Sequence, residues 1–141
     1  MTGSQQAPSL LLCSGMAELA AGALSGWVYT RAKTRPDEAR RLGLKNAARV
    51  RQWHLDLAML GTATVACEHA VPDPPRVVAT ALGIGAWTNA MGFLPLAVNP
   101  DLEDHPAFVA AMGASFCTTS VGFTGMAATL ARHRLRQSKR R

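Results

Sequence analysis

Apolar positions in this chain gather in long blocks instead of alternating with polar ones. Four blocks stand out, at 8–30, 52–71, 77–98 and 106–131. The third holds 22 residues and the fourth 26, and neither contains Asp, Glu, Lys, Arg or His. A helix rises about 1.5 Å per residue and the hydrocarbon core of a bilayer is about 30 Å thick, so about 20 apolar residues cross it. The pattern predicts an all-α fold: one domain over 1–141, built as an integral membrane bundle of four transmembrane helices. The expected location is a cell membrane, multi-pass.

The punctuation agrees with these bounds. Arg35-Pro36-Asp37, Pro72-Asp73-Pro74-Pro75, and the stretch from Asn99-Pro100 to His105-Pro106 interrupt the blocks. Proline is at home after a helix or in its first turn. The second and third joints are short, which makes the helices they join antiparallel neighbours. Between Pro36 and Arg51 the chain reads as helix, with Asp37 and Glu38 at its N-terminus, and it is expected to run on into the second span. No Lys or Arg precedes the first block, so that block reads as a retained span and not as a cleaved leader.

Charge is segregated as strongly as hydropathy. Of 15 Lys and Arg, eight lie between Arg31 and Arg51 and six between Arg132 and Arg141. The first group is the basic loop 31–51 and the second the basic tail 132–141. With four spans these lie on opposite sides, so the positive-inside rule does not orient the bundle. A pI near 10 does not argue for nucleic acid, because half the chain is spent on bilayer-length apolar runs. Basic flanks of spans meet anionic lipid. Cys13, Cys67 and Cys117 sit in three different blocks without metal-ligand spacing and read as small packing residues.

Polar groups inside the spans carry what chemistry the sequence offers, since each ionisable one costs about 2.5–3.5 kcal/mol to insert. The second span holds His54, Asp56, Glu68 and His69 and is the least apolar of the four, so it should be shielded by the others or by another subunit. His54, Gly61 and Glu68 recur at seven-residue steps, with Ala58 and Val65 between, which leaves a slot beside the imidazole. A planar group or a neighbouring helix would fill it. In the first span Gly15, Glu18, Gly22, Ser25, Gly26 and Tyr29 form a small-residue stripe with a GxxxG step. Glu18 on that stripe is either a structural hydrogen-bonding group or a proton-handling one. Asn89 lies about 18 Å along the third span from Val77. That depth matches His54, Asp56 and Ser115, so one polar pocket could draw on all four. Asn89 alone would equally serve to glue helices together.

Trp53-His54-Leu55-Asp56 with Met59 and Gly61 resembles the His-Leu-Glu…Met…Gly stretch of the hydroxylaminobenzene mutases. Gly85-Ala86-Trp87-Thr88-Asn89 resembles the Gly-Trp-Ser-Asn of the styrene oxide isomerases and the aromatic-x-Asn of the mutases. Both groups are small four-span membrane proteins, and the likeness in layout covers about residues 10–132. The resemblance implies a haem b isomerase working as a homo-oligomer, in the isomerases a trimer with haem between subunits. Carried over, His54 is the metal ligand, Arg49, Arg51 and Trp87 bind the cofactor, and Asn89, Thr88 and Ser115 serve catalysis. The substrate it implies is small and apolar: an epoxide rearranged to a carbonyl, or an arylhydroxylamine to an aminophenol. Two departures stand out. Leu60 occupies a position where both groups carry Asn, and Phe93 one where the isomerases carry Tyr. Two readings compete with this one. The first is a non-catalytic membrane subunit or binding protein. The second is a haem electron carrier, for which the other histidines are poorly placed as a second ligand.

Overall fold

A computed structural model describes residues 7–139. The described chain is helical throughout: α1 (Leu10–Thr34), α2 (Pro36–Arg41), α3 (Ala47–Ala70), α4 (Arg76–Met91), α5 (Phe93–Val98), a 3-10 turn (Pro100–Asp104) and α6 (Pro106–Ser138). Three helical stretches among these residues are long and apolar enough to cross a membrane: Leu10–Thr34, Arg76–Val98 and Pro106–Ser138. The α3 helix has the length, at 24 residues, but not the composition, because its charged residues dilute it.

Local chemistry accounts for the ends. Ser9 caps α1 by accepting from the Leu12 N–H at 3.0 Å. Pro36 opens α2, and Asp37 and Glu38 sit in its first turn against the positive end of the helix dipole. The expected continuous helix from Pro36 into the second span does not form. Gly43 takes a left-handed φ of +88°, and the Asn46 side chain accepts from the Ala48 and Arg49 N–H groups to start a new helix. The third block also divides. Pro95 has no N–H to offer the carbonyl of Met91, and the helix breaks at Gly92 before resuming as α5. The last helix runs on to Ser138, so most of the basic tail is helical.

The helices pair antiparallel. The α1–α3 and α4–α6 pairs are the two extensive interfaces, α3 and α4 join them, and α3 scarcely touches α6. Glycine sets both crossings. A Cβ on Gly61 would lie 2.6 Å from the backbone N of Leu19, and one on Gly122 would lie 2.7 Å from the backbone N of Leu82. Close approach of backbones through small residues is how helices gain contact in lipid, where no hydrophobic drive separates them from the solvent.

The loop before α3 folds over the end of α5. The Lys45 and Asn46 N–H groups both donate to the Ala97 carbonyl, at 2.8 and 3.1 Å. One small apolar cluster (Ala32, Ala39, Val50, Ala97) closes that end of the bundle, and another (Leu11, Val71, Leu82, Met126) closes the opposite end. Between them the interior is unusually polar: Glu18, Ser25, Thr64, Ser115 and Thr119 are buried. The outer surface is the reverse, with Leu10 90%, Trp27 77% and Val77 75% exposed. Two of the three cysteines, Cys13 and Cys117, face outward, so they do not serve as interior packing.

Candidate functional site around His54

His54 lies in the first turns of α3 and leans on α1. Its Nδ1 is 2.8 Å from the Gly22 carbonyl oxygen. A carbonyl only accepts, so Nδ1 carries the proton and Nε2 keeps its lone pair. Ser25 donates its hydroxyl to the same carbonyl at 2.7 Å and lies 3.2 Å from Nδ1. Tyr29 stacks near-parallel to the imidazole, with centroids 6.3 Å apart and planes 11° from parallel. Gly26 completes the seat, where a Cβ would lie 3.1 Å from Cε1. The small-residue stripe of α1 is thus what receives the ring. The expected slot beside the imidazole is filled within this chain by α1 itself: Gly61 and Ala58 press on the backbone of Leu19 and Gly22. The ring remains partly exposed at the edge of the α1–α3 seam.

The other candidates fall into separate groups. Arg49 donates to the carboxylate of Glu103 at 2.5 Å and to the Gln52 side chain at 3.1 Å, so its charge is already met. Arg51 is exposed one turn before Leu55, with no ion pair among the described residues. Trp87 points across to α1 and donates Nε1–H to the Ser14 hydroxyl at 3.1 Å. Ser14 is 11 residues from Ser25 along α1, about 16 Å of helix rise, so Trp87 is not a neighbour of the imidazole in this chain. The Thr88 and Ser115 hydroxyls meet at 2.7 Å across the α4–α6 interface. Thr88 also donates to the Ile84 carbonyl, which makes Ser115 the donor between them. Asn89 has a buried Oδ1 with no hydrogen-bond partner. Asp56 is half-buried on α3.

The depths agree with the sequence reading and the directions do not. Trp53 on α3 donates to Met91 on α4 at 3.3 Å, which fixes the level of the two helices. Thr88 and Asn89 are then within about 5 Å of the level of His54, and Ser115 is level with Thr88. No hydrogen bond connects that α4–α6 group to His54. They occupy one slab of the bundle but different seams. The residues that touch His54 most closely, the Gly22 carbonyl, Ser25 and Tyr29, had their signal in the periodic stripe, which marks a face without naming what lies against it.

Chemically, the seam offers one nitrogen donor of fixed tautomer. A hydrogen bond from the far ring nitrogen to a backbone carbonyl is the usual way to orient an imidazole and raise its basicity toward a metal. Among the described residues no three His, Cys, Asp or Glu side chains gather as a ligand set, so His54 could supply a single axial ligand and no more. A bare ion would need other donors, whereas a haem brings its own four nitrogens. His54 thus offers one nitrogen donor, whereas Arg49 is already paired with Glu103 and Trp87 bonds Ser14. No protein family, curated protein or solved structure matches this chain.

Proposed function

We propose that this protein is a haem-dependent membrane isomerase, with His54 as the axial ligand and four membrane spans. The single observation that carries the reading is the Nδ1–H bond to the Gly22 carbonyl, which leaves the lone pair on Nε2 of a half-buried imidazole. Packing supports the fourth span. The α3 helix lies antiparallel along α1 from the Gly15–Val65 contact to the Gly26–His54 contact, so a bilayer crossed by α1 encloses α3 as well. The inverted surface, apolar outside and polar within, supports the same placement.

Within this reading His54 would hold the haem iron, and the Arg51 guanidinium, in no ion pair among the described residues, would be available to a carboxylate of the cofactor. A ferric haem, when bound, would supply Lewis-acid chemistry for a redox-neutral rearrangement, epoxide to carbonyl or arylhydroxylamine to aminophenol. The chain's own residues do the rest. Ser25 and Gly22 hold the imidazole tautomer. Of Asn89, Thr88 and Ser115, Thr88 lies at an exposed position at the right depth, while Asn89 Oδ1 and Ser115 are buried within the chain. Thr88 would come to the His54 seam only where a second copy brings its α4–α6 edge there. A homo-oligomer is therefore part of the proposal. The outer face of α3 has an open groove of about 510 Å³, lined by Leu55, Ala58, Met59, Thr62, Ala63 and Ala66. Such a face is suited to cover by another helix.

The filled slot at His54 favours one second reading: a non-catalytic membrane subunit in which the imidazole is an interhelical hydrogen-bonding group. The two part on one measurement. The full chain, purified in detergent and supplied with haem, should show a high-spin ferric Soret band that is lost in His54→Ala and kept in Arg49→Gln. Absence of the band in the unaltered protein would leave only the subunit reading.

A further inference from the structure

At the end of the bundle away from the basic loop, a cavity of about 530 Å³ opens between the start of α1, the end of α3 and the start of α4. A second hollow of about 250 Å³ follows between α1 and α4. The two share Leu10, Leu11, Ala79 and Thr80, so they form one groove that descends along the bundle to Gly83 and Ile84. Its deep part is mainly apolar, with Ser14 and Thr80 among its lining residues. Its mouth carries Glu68, Asp73 and Arg76, and none of the three is in an ion pair among the described residues.

We infer that this groove is a binding site for a zwitterionic phospholipid with a primary-amine headgroup. The phosphate pairs with Arg76, the ammonium sits between Glu68 and Asp73, and one acyl chain follows the groove past Ala79 toward Ile84. Charge decides among lipids. One guanidinium against two carboxylates leaves the mouth net negative, so a headgroup carrying phosphate alone satisfies Arg76 and meets two repulsive groups. A zwitterion gives its phosphate to Arg76 and sets its ammonium between the two carboxylates, so it adds no further negative charge to the mouth. A primary ammonium presents three N–H donors to the two carboxylates, whereas a trimethylammonium presents none. The inference rests on the membrane placement of the bundle and is independent of haem at His54.

The test uses the full chain, delipidated in detergent and offered equal amounts of phosphatidylethanolamine, phosphatidylcholine and phosphatidylglycerol of identical acyl chains, with retention read by native mass spectrometry. Phosphatidylethanolamine should be retained about fivefold over either competitor, the ratio that roughly 1 kcal/mol of headgroup pairing gives. Glu68→Gln with Asp73→Asn should remove that preference, and Arg76→Gln should weaken all three lipids. Thr80→Trp, at an exposed groove position, should block all three while the helical circular dichroism stays unchanged. Equal retention of the three lipids by the unaltered chain, a preference for phosphatidylglycerol, or an Arg76→Gln variant that binds as before would overturn the assignment.

Discussion

Glu18 is the residue whose environment is least expected from its chemistry. It is completely buried, and neither carboxyl oxygen has a hydrogen-bond partner. A desolvated polar group without a partner costs about 1–3 kcal/mol, and replacing it with an apolar side chain of similar size removes that cost. Glu18→Leu should therefore stabilise the detergent-solubilised protein by an amount in that range, measured by unfolding titration. Loss of stability would mean that the carboxyl bonds a water held inside the bundle. His54 is the contrast. It was legible as a candidate because a lone imidazole in a span demands a reason. Its seat was not legible, since Ser25 and the Gly22 carbonyl lie about 30 positions earlier and come near only when α1 and α3 pair.

Among the helices, the glycine seams decide which faces meet. The Gly61 position has no room for a Cβ against the α1 backbone, whereas nothing lies within 4 Å of one at Gly113. Gly61→Val should force α1 and α3 apart and cost about 1–3 kcal/mol, as overpacking does. Gly113→Ala should be neutral or slightly stabilising, by up to about 1 kcal/mol from helix propensity. Thermal unfolding of the two variants side by side tests the seam, and equal effects would show that the two glycines share one environment. At this scale the sequence was partly legible. GxxxG and the seven-residue recurrence marked the faces of α1 and α3 correctly. Two helix boundaries were missed although their signals were present: the Gly43…Asn46 stop and restart, and the break that Pro95 imposes one turn back.

For the whole molecule, the arrangement of α3 along α1 makes a topological prediction. Four crossings place the two chain ends on the same face of the membrane and the loop around Lys45 on the other. Single-cysteine reporters at Lys45 and Lys139, in a variant lacking Cys13, Cys67 and Cys117, should label from opposite sides of sealed vesicles. Reporters at Ser9 and Lys139 should label from the same side. Three crossings, with α3 held outside the hydrocarbon, would put Ser9 and Lys139 on opposite faces.

Length and composition alone gave a helical chain with four bilayer-length segments, of which three are long and apolar enough to cross a membrane, and the relative level of the polar residues along them. These depend on rise per residue and on local hydropathy, which are properties of a segment by itself. The structure decided rotation and partnership. His54 faces α1, Trp87 faces Ser14, Arg49 is taken by Glu103, and the Thr88–Ser115 pair closes a different seam. Those outcomes follow from which backbones approach closely enough to pack, a condition that two helices meet together and that neither one encodes alone.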